Sequence, residues 1–307
     1  MYKGIGKLTE SEKRLHILRY SLCWMPRWLI VFFCYIAGVL LYSCAVQVRK
    51  RVLQNLSDLA RNASPTQIRH YCRTYFYHLC ITMYEILVDS PTLDSTKNWR
   101  FKAEEESCLE EALQHGRGAI LFTSHTGNFF YYYWYLSRKY PCLTVATAGS
   151  AELRPLYLMF EQLGCKGLDY DAVPPLQLLR TLRRHLEANG VVLLLGDFWR
   201  PAFPPARFFG RNTRSPSGTA VLGIEQRVPV VPFYGFRMRG FRHVIKFEKP
   251  LYLDDMFNRH ERTEATNALN RILEKTITEN PAQWFYWFNA DERWETNQTQ
   301  MSGSHNQ

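Results

Sequence analysis

The chain has 307 residues, of which 46% are hydrophobic and 21% are charged, a composition that is typical of a globular protein and excludes broad disorder. Its formal net charge of +10 attracts polyanions, a class that includes nucleic acid, acidic lipid headgroups and phosphorylated substrates. The eight cysteines are scattered without a C-x-x-C pair or a Cys/His ligand spacing, so we expect neither a disulfide framework nor a zinc site.

An uncharged apolar run covers residues 28–46, about the length that a helix needs to cross the hydrocarbon core of a membrane. Basic residues lie on both sides of the run, so the positive-inside rule leaves its orientation open, and a helix within one leaflet fits as well as a spanning one. A signal peptide would be shorter and would end in a small-residue cleavage site. A buried core helix is the remaining alternative. We interpret residues 1–50 as a basic and hydrophobic membrane anchor.

Helices are predicted directly beyond this run. One of them starts after Ser64-Pro65, in which the serine is the cap and the proline follows it. From residue 119 onward, short apolar strands alternate with helices. Strands are predicted over residues 119–123, 143–147, 191–195, 229–236 and, at an edge of the sheet, 243–247. Helices are predicted over residues 128–139, 155–163, 176–188, 217–226 and 263–278.

The predicted fold class is α/β, with a mostly parallel central sheet covered by helices and an N-terminal hydrophobic membrane-anchor helix, because continuous apolar strands joined by helices are typical of such sheets. Residues 51–296 are predicted to form this α/β domain. Residues 297–307 are predicted to form a polar disordered tail, since they contain almost no apolar residue.

Two polar residues stand just past the carboxyl ends of predicted buried strands. His125 follows the strand over 119–123 through Ser124, and Asp197 follows the strand over 191–195 through Gly196. If both strands run parallel in one sheet, both side chains emerge at the same edge, which is where open α/β sheets bind ligands. An imidazole there can take a proton from an attacking alcohol, and a carboxylate at its other nitrogen would fix the tautomer. A histidine with a purely structural role is the alternative.

Two further groups of residues suit the binding of a substrate. Gly127 and Asn128 stand at a predicted helix start, where free backbone N–H groups suit an oxyanion or a thioester carbonyl, and simple helix capping is the alternative. Guanidinium groups before the helix start at Ser217 suit a phosphate, and a solvated basic loop is the alternative. The candidate residues of this second group are Arg207, Gly210, Arg211, Arg214, Ser217 and Gly218.

Residues 124–129, S-H-T-G-N-F, resemble the core of the H-x4-acid box of the lysophospholipid acyltransferase superfamily. The likeness is closest to the H-x-G-N-W-E form of the bacterial lipid A late acyltransferases, the lauroyl and myristoyl transferases. Five further elements resemble that family in its own order and lie at residues 51–56, 207–211, 215–220, 228–232 and 281–294. The resemblance covers roughly residues 28–294, and the ordered set is more specific than any single element.

The resemblance implies a fatty acyltransferase at the cytoplasmic face of a bacterial inner membrane. It would move an acyl chain from an acyl thioester, on acyl carrier protein or coenzyme A, to a hydroxyl of a lipid or glycolipid acceptor, with His125 as general base. Membrane lipid and acyl carrier protein are the expected partners, and no cofactor beyond the thioester co-substrate, no metal and no nucleic acid is expected. The acceptor, the acyl chain length and the oligomeric state stay open.

One residue departs from the family pattern. Where the family has the acidic residue that orients the histidine, five positions after it, this chain has Phe130. Phenylalanine can neither orient nor polarise an imidazole, so we expect Asp197 to take this role, ahead of Glu152 and Asp171. The alternative is a catalytically degenerate protein with an acyltransferase fold that binds lipid or serves as a scaffold.

Overall fold

The computed structural model describes residues 17, 19–22, 24–94, 99–147 and 154–295. Glu152 and the predicted tail over 297–307 lie outside the described residues. The helices are α1 (Arg27–Cys44), α2 (Val46–Leu59), α3 (Pro65–Tyr84), α4 (Ser107–Gln114), α5 (Phe129–Ser137), α6 (Arg154–Gln162), α7 (Pro175–Glu187), α8 (Gly218–Gln226), α9 (Leu253–Met256) and α10 (Arg262–Glu279). The strands are β1 (Phe101–Glu104), β2 (Ala119–Thr123), β3 (Cys142–Ala146), β4 (Gly167–Asp169), β5 (Val191–Leu195), β6 (Pro205–Phe208), β7 (Arg211–Arg214), β8 (Val230–Arg237) and β9 (His243–Phe247).

Seven of these strands form one sheet in the order β1-β9-β8-β2-β5-β3-β4. Every pair of neighbours is parallel except β8 and β9, so the predicted mostly parallel sheet is confirmed. The predicted edge position of β9 is wrong, because β9 lies between β8 and β1. The edge strand β1 has only four residues of mixed polarity and pairs with a strand far along the chain, which left no signal in its own sequence. Strands β6 and β7 form a separate antiparallel hairpin.

Helices cover both faces of the sheet, and the central strands show why. Side chains alternate between the two faces of a strand. In β2, Ile120 and Phe122 belong to one apolar cluster, together with residues of α2, α3, α7, α8 and α10. Ala119 and Leu121 belong to a second cluster, with residues of α4, α5 and α6. A strand that is buried on both faces must be apolar throughout, and for this reason β2 and β5 were recognisable as continuous apolar runs.

The N-terminal helices pack against one another and leave most of α1 exposed. Helix α3 starts with a capping box formed by Ser64 and Gln67, at the predicted cap. Helix α1 approaches α3 closely at Gly38, where a Cβ would lie 2.8 Å from the Tyr77 Cα. Among the described residues, α1 is the one helix long and apolar enough to cross a membrane, and only 17% of it is buried. This low burial contradicts a core helix, so α1 is a candidate anchor.

After α10, the chain passes through three short 3-10 turns, Pro281–Gln283, Phe285–Phe288 and Ala290–Arg293. We call residues 281–293 the closing segment. It is rich in aromatic side chains, and Trp284 and Trp287 in it are fully buried. An isolated antiparallel bridge joins Trp284 to Thr126, which follows β2. The closing segment therefore lies against the carboxyl end of the central strands.

Candidate active site

The register of the sheet brings His125 and Asp197 together. Strands β2 and β5 are parallel neighbours, and their register pairs Thr123 with Leu195. Two residues further along each strand come His125 and Asp197, which therefore stand side by side at the carboxyl edge of the sheet. Gly196 permits this approach, since a Cβ at this position would lie 2.2 Å from the Phe122 ring. The predicted meeting of the two side chains at one edge agrees with the structure.

Asp197 holds the histidine at two points. Its Oδ1 lies 2.7 Å from the His125 Nδ1, and its Oδ2 accepts a hydrogen bond of 2.9 Å from the His125 backbone N–H. The Asp197 side chain is completely buried, whereas 15% of the His125 side chain is exposed. The carboxylate therefore fixes both the ring and the backbone of His125, and the opposite edge of the ring remains accessible.

The charge of Asp197 determines which ring nitrogen carries the proton. Burial acts to raise the pKa of this carboxyl, but the His125 ring and the hydrogen bonds from His125 and Trp284 outweigh burial, so its pKa lies below the ordinary value. The ionised carboxylate can only accept hydrogen bonds, so the proton of a neutral His125 ring lies on Nδ1. The Nε2 lone pair is then free to take a proton from a hydroxyl group.

The closing segment supplies residues that sequence reasoning did not assign to the site. The Trp284 Nε1–H donates to the Asp197 Oδ2 at 2.7 Å, and the Arg293 Nη1 donates to the Asp197 backbone oxygen at 3.2 Å. The Phe285 backbone N–H donates to the His125 oxygen at 2.9 Å. Burial lowers the pKa of Arg293, whose guanidinium also packs over the Trp284 ring at 5.0 Å. The aromatic run that begins at Trp284 is visible in the sequence, but nothing in it indicated contacts with Asp197 and His125.

Two aromatic rings flank the exposed edge of His125. The rings of Phe129 and Tyr286 stand edge-to-face to the imidazole, with centroids 4.7 and 4.8 Å away. The Tyr286 hydroxyl lies 3.5 Å from the His125 Nε2, at the outer limit of a hydrogen bond. These rings narrow the approach to Nε2 and exclude water from its sides, which strengthens polar interactions at that nitrogen.

The backbone N–H groups of Gly127 and Asn128 are not free, contrary to the prediction for an oxyanion site. The Gly127 N–H donates to the Gln283 backbone oxygen at 2.9 Å, and the Asn128 N–H donates to the Tyr132 hydroxyl at 3.1 Å. Asn128 is fully buried and caps α5 by accepting from the Tyr131 N–H. Asn128 is therefore a helix cap, which was the alternative interpretation. The Gly127 N–H is hydrogen-bonded to the closing segment.

Behind Asn128 lies a buried ionic cluster that the sequence did not reveal. Glu85, at the end of α3, accepts from the Asn128 Nδ2 at 2.8 Å and from both terminal nitrogens of Arg237 on β8. The His243 Nε2 lies 2.9 Å from the Glu85 Oε1. Burial acts to raise the pKa of Glu85, but Arg237 and His243 outweigh it and hold the pKa below its ordinary value. The cluster fixes the start of α5, and with it the loop that carries His125.

The other carboxylates and the motif phenylalanine lie in different surroundings. Phe130 packs in an apolar cluster, with its ring centroid 4.5 Å from that of Phe129 and 4.8 Å from that of Phe160. Asp171 forms an ion pair with Arg200, so it is not the partner of His125. Of the three acidic candidates, Asp197 contacts the histidine, and Glu152 lies outside the described residues.

The structure does not gather the predicted phosphate-binding arginines into one free cluster. Arg211 lies 3.8 Å from Asp58 and over the Trp294 ring, and Arg214 lies 3.0 Å from Glu295. Arg207 is exposed on the hairpin, and its backbone is held by Asn267 and Asn270 of α10. Carboxylates therefore neutralise two of the three guanidinium groups. The register of the hairpin also places Arg211 on the opposite face from Arg207 and Arg214.

The glycines and the serine of this predicted set have structural positions. Gly210 is at the exposed tip of the hairpin with a φ of 69°, a left-handed conformation that favours glycine. Ser217 precedes α8 without a side-chain cap, and Gly218 is the first residue of that helix. Both residues are half-buried, and their backbone amides lie at the start of a helix, as the predicted phosphate site requires.

A family model with the description bacterial lipid A biosynthesis acyltransferase matches residues 15–296 of the chain. The match includes α1, the central sheet and the closing segment, and thus both members of the His125–Asp197 pair. No curated protein matches the chain.

Proposed function

The chain belongs to the bacterial lipid A biosynthesis acyltransferase family, and on that premise we propose that it transfers a fatty acyl group from an acyl thioester to a hydroxyl of a lipid or glycolipid acceptor. The observation that carries this proposal is the His125–Asp197 pair, whose 2.7 Å contact leaves the Nε2 edge of the imidazole accessible. Asp197 takes the orienting role that the residue at position 130 has elsewhere in the family.

In the proposed reaction, His125 acts as the general base. Its Nε2 takes the proton of the acceptor hydroxyl while the hydroxyl oxygen attacks the thioester carbonyl carbon. A new ester bond forms, the carbon–sulfur bond breaks, and the proton passes from His125 to the departing thiolate. Asp197 stabilises the imidazolium that exists between these two proton transfers.

The negative charge that develops on the carbonyl oxygen needs hydrogen-bond donors. The first turn of a helix has N–H groups without an acceptor in the helix itself. In α5 the amides of Asn128 and Tyr131 are already used, which leaves those of Phe129 and Phe130. We assign the oxyanion to these two amides, next to the His125 ring.

The proposed location is the cytoplasmic face of a bacterial inner membrane. Exposed apolar side chains of α1, among them Trp28, Phe33 and Leu40, support attachment to a membrane. Acyl carrier protein is the proposed donor, in line with the family resemblance, and coenzyme A is the alternative. A donor and an acceptor with long acyl chains would both be reached at the membrane surface.

The test is an acyl-transfer assay with radiolabelled acyl carrier protein thioester and a bacterial membrane lipid extract. We expect His125→Ala and Asp197→Asn to lower kcat by between about 10² and 10⁴, the usual contribution of general acid–base catalysis. His115→Ala is the matched control, because His115 is exposed, contacts Tyr252 and precedes the amino end of β2, whereas His125 follows its carboxyl end. Transfer at the wild-type rate by His125→Ala would show that the mechanism is wrong.

A lipid-binding protein without turnover is the second candidate, and Phe130 is the observation that favours it. The same assay separates the two functions. If wild-type protein transfers no acyl group to any extract from either thioester, yet binds the extracted lipid, the second candidate is correct. Transfer that depends on both His125 and Asp197 would exclude it.

A further inference from the structure

A cavity of about 210 Å³ lies beside the His125–Asp197 pair. Its walls are formed by Phe198, Trp199, Tyr286, Asn289, Glu292 and Arg293. Phe198 and Trp199 follow Asp197 directly, and the Tyr286 hydroxyl lies 3.5 Å from the His125 Nε2. A molecule in this cavity would therefore contact the residue that follows Asp197 and the tyrosine whose hydroxyl is nearest to the His125 Nε2.

Three residues that line the cavity each have a buried polar atom with no hydrogen-bond partner within the part of the chain that the structure describes. These atoms are the Trp199 Nε1, the Asn289 Oδ1 and the Arg293 Nε. Buried polar atoms are nearly always hydrogen-bonded, and leaving one unpaired destabilises the protein. Only 5% of Arg293 is exposed, so solvent at the surface does not satisfy it. Three such atoms around one cavity point to a polar ligand.

The types of these atoms restrict the ligand. The indole and guanidinium N–H groups donate, whereas the Asn289 oxygen accepts. The Asn289 Nδ2 donates to Glu292, which leaves the oxygen as the atom that needs a donor. A fully ionised phosphate or carboxylate group offers no donor, so it cannot satisfy the Asn289 oxygen. A hydroxyl group both donates and accepts, and several hydroxyl groups on one ring would satisfy all three atoms.

We propose that this cavity is the subsite for the hydroxyl-bearing headgroup of the acyl acceptor, held by Trp199, Asn289 and Arg293. The assignment to the acceptor rests on the proposed function, because a general base must be within hydrogen-bond distance of the hydroxyl that it deprotonates. The thioester carbonyl carbon lies beyond that oxygen. Tyr286 forms part of the cavity wall and its hydroxyl lies 3.5 Å from Nε2, so we assign the cavity to the acceptor and not to the donor.

The first experiment measures binding without any reaction. The full chain in micelles of a polyoxyethylene detergent is titrated calorimetrically with octyl glucoside and, separately, with the same glycoside methylated on every hydroxyl group. We expect octyl glucoside to bind and the methylated probe not to bind. Trp199→Phe and Asn289→Ala should each weaken binding by about five- to tenfold, since each removes one hydrogen bond.

Trp134→Phe is the matched control. The Trp134 Nε1 is also buried without a partner, but Trp134 packs in the apolar cluster beside Phe101, away from the cavity wall. We expect this variant to bind octyl glucoside as the wild type does. Equal binding of the two probes, or equal affinity of Trp199→Phe and Trp134→Phe, would overturn the assignment.

The second experiment is the acyl-transfer assay with the same variants. Trp199→Phe and Asn289→Ala should raise KM for the acceptor about five- to tenfold and leave KM for the thioester unchanged. If wild-type protein binds octyl glucoside through these residues but transfers no acyl group, the proposed function fails and the cavity remains a hydroxyl-binding site. If wild-type protein transfers acyl groups and Trp199→Phe keeps the acceptor KM, the assignment of the cavity fails alone.

Discussion

The Asp197 carboxylate is ionised although it has no exposed surface. It receives hydrogen bonds from the His125 ring, the His125 backbone and the Trp284 indole, and these hold its pKa below the ordinary value despite burial. Hydrogen bonds to a charged group contribute more than those between neutral groups. A charge that the fold stabilises in this way makes the stability of the protein depend on pH.

The sign of this dependence follows from the lowered pKa. A carboxyl whose pKa is lower in the folded state stabilises the fold above its unfolded pKa of about 3.9, and this contribution is lost as the pH falls through the folded value. We expect Asp197→Asn to reduce the free energy of unfolding by about 1–3 kcal/mol at pH 7. The difference from wild type should shrink below about pH 4.

Urea unfolding in detergent at a series of pH values checks this expectation. Asp255→Asn is the control, because Asp255 is exposed on α9. The difference in the free energy of unfolding between Asp255→Asn and the wild type should be the same at every pH. A constant difference between Asp197→Asn and wild type down to about pH 2.5 would contradict the ionised state of Asp197.

Trp284 acts through Asp197 and is therefore a positioning residue. Trp284→Phe keeps the ring but removes the donor to the Asp197 Oδ2, so we expect kcat for acyl transfer to fall about tenfold with the acceptor KM unchanged. Trp287→Phe is a matched control, since its buried Nε1–H donates to the Pro281 oxygen instead. Both variants should lose similar stability in thermal unfolding, and an equal loss of kcat in both would mean that Trp284 is only structural.

At the scale of elements, the buried cluster around Glu85 joins α3, α5, β8 and β9. Glu85→Gln leaves the Arg237 guanidinium buried without its carboxylate, so we expect the free energy of unfolding to fall by about 3–5 kcal/mol. The double variant Glu85→Leu with Arg237→Met should lose less, because it removes both charges. Chemical denaturation of purified protein measures these differences.

The control for this cluster is an ion pair on the surface. Arg183 and Glu187 form an exposed pair one turn apart on α7, with a distance of 2.7 Å. Glu187→Gln should change stability by no more than about 0.5 kcal/mol. A change of similar size in Glu85→Gln would contradict the inference that this cluster fixes the start of α5.

The elements show which parts of the molecule can be predicted from sequence. Strands β2 and β5 can be recognised in the sequence because both of their faces are buried, which makes each a continuous apolar run. The location of the residues that come after them, at the carboxyl edge of the sheet, then follows from sheet geometry. Strand β1 was not predicted because its four residues become a strand only through β9. Long-range pairing of this kind leaves no local pattern.

The candidate active site likewise has contacts that the sequence predicts and contacts that it does not. The meeting of His125 and Asp197 was predictable because each follows its strand by the same two residues. The hydrogen bond that occupies the Gly127 N–H was not predictable, because its acceptor is the backbone oxygen of Gln283 in a distant segment. The predicted arginine cluster was wrong for a related reason, since Arg211 pairs with Asp58 of a distant helix and lies on the opposite face of the hairpin from Arg207 and Arg214.

At the scale of the whole molecule, α1 gives the protein one strongly apolar exposed surface. Contiguous exposed apolar residues mark interaction sites, and the length of α1 suits a membrane. We expect the variant Phe33→Glu with Leu40→Glu to abolish flotation with vesicles of phosphatidylethanolamine and phosphatidylglycerol. Each charge at the centre of an apolar helix costs about 2.5–3.5 kcal/mol on insertion.

The control carries the same two charges on the neighbouring helix α2. Gln54 and Ser57 are exposed there, so Gln54→Glu with Ser57→Glu should float as the wild type does. Salt should not release wild-type protein from the vesicles, because apolar insertion is not screened. Flotation of the Phe33→Glu, Leu40→Glu variant at the wild-type level would contradict the anchor.

The closing segment is translated after every strand of the sheet, yet it supplies the indole that binds Asp197 and the backbone that pairs beside His125. The strands that carry His125 and Asp197 are therefore synthesised before the segment that holds this pair in place. A message truncated between α10 and Trp284 would direct synthesis of a chain that lacks the indole at Asp197, and on the proposed function we expect such a chain not to transfer acyl groups. On the proposed function, the order of translation thus delays acyl transfer until the closing segment has been synthesised.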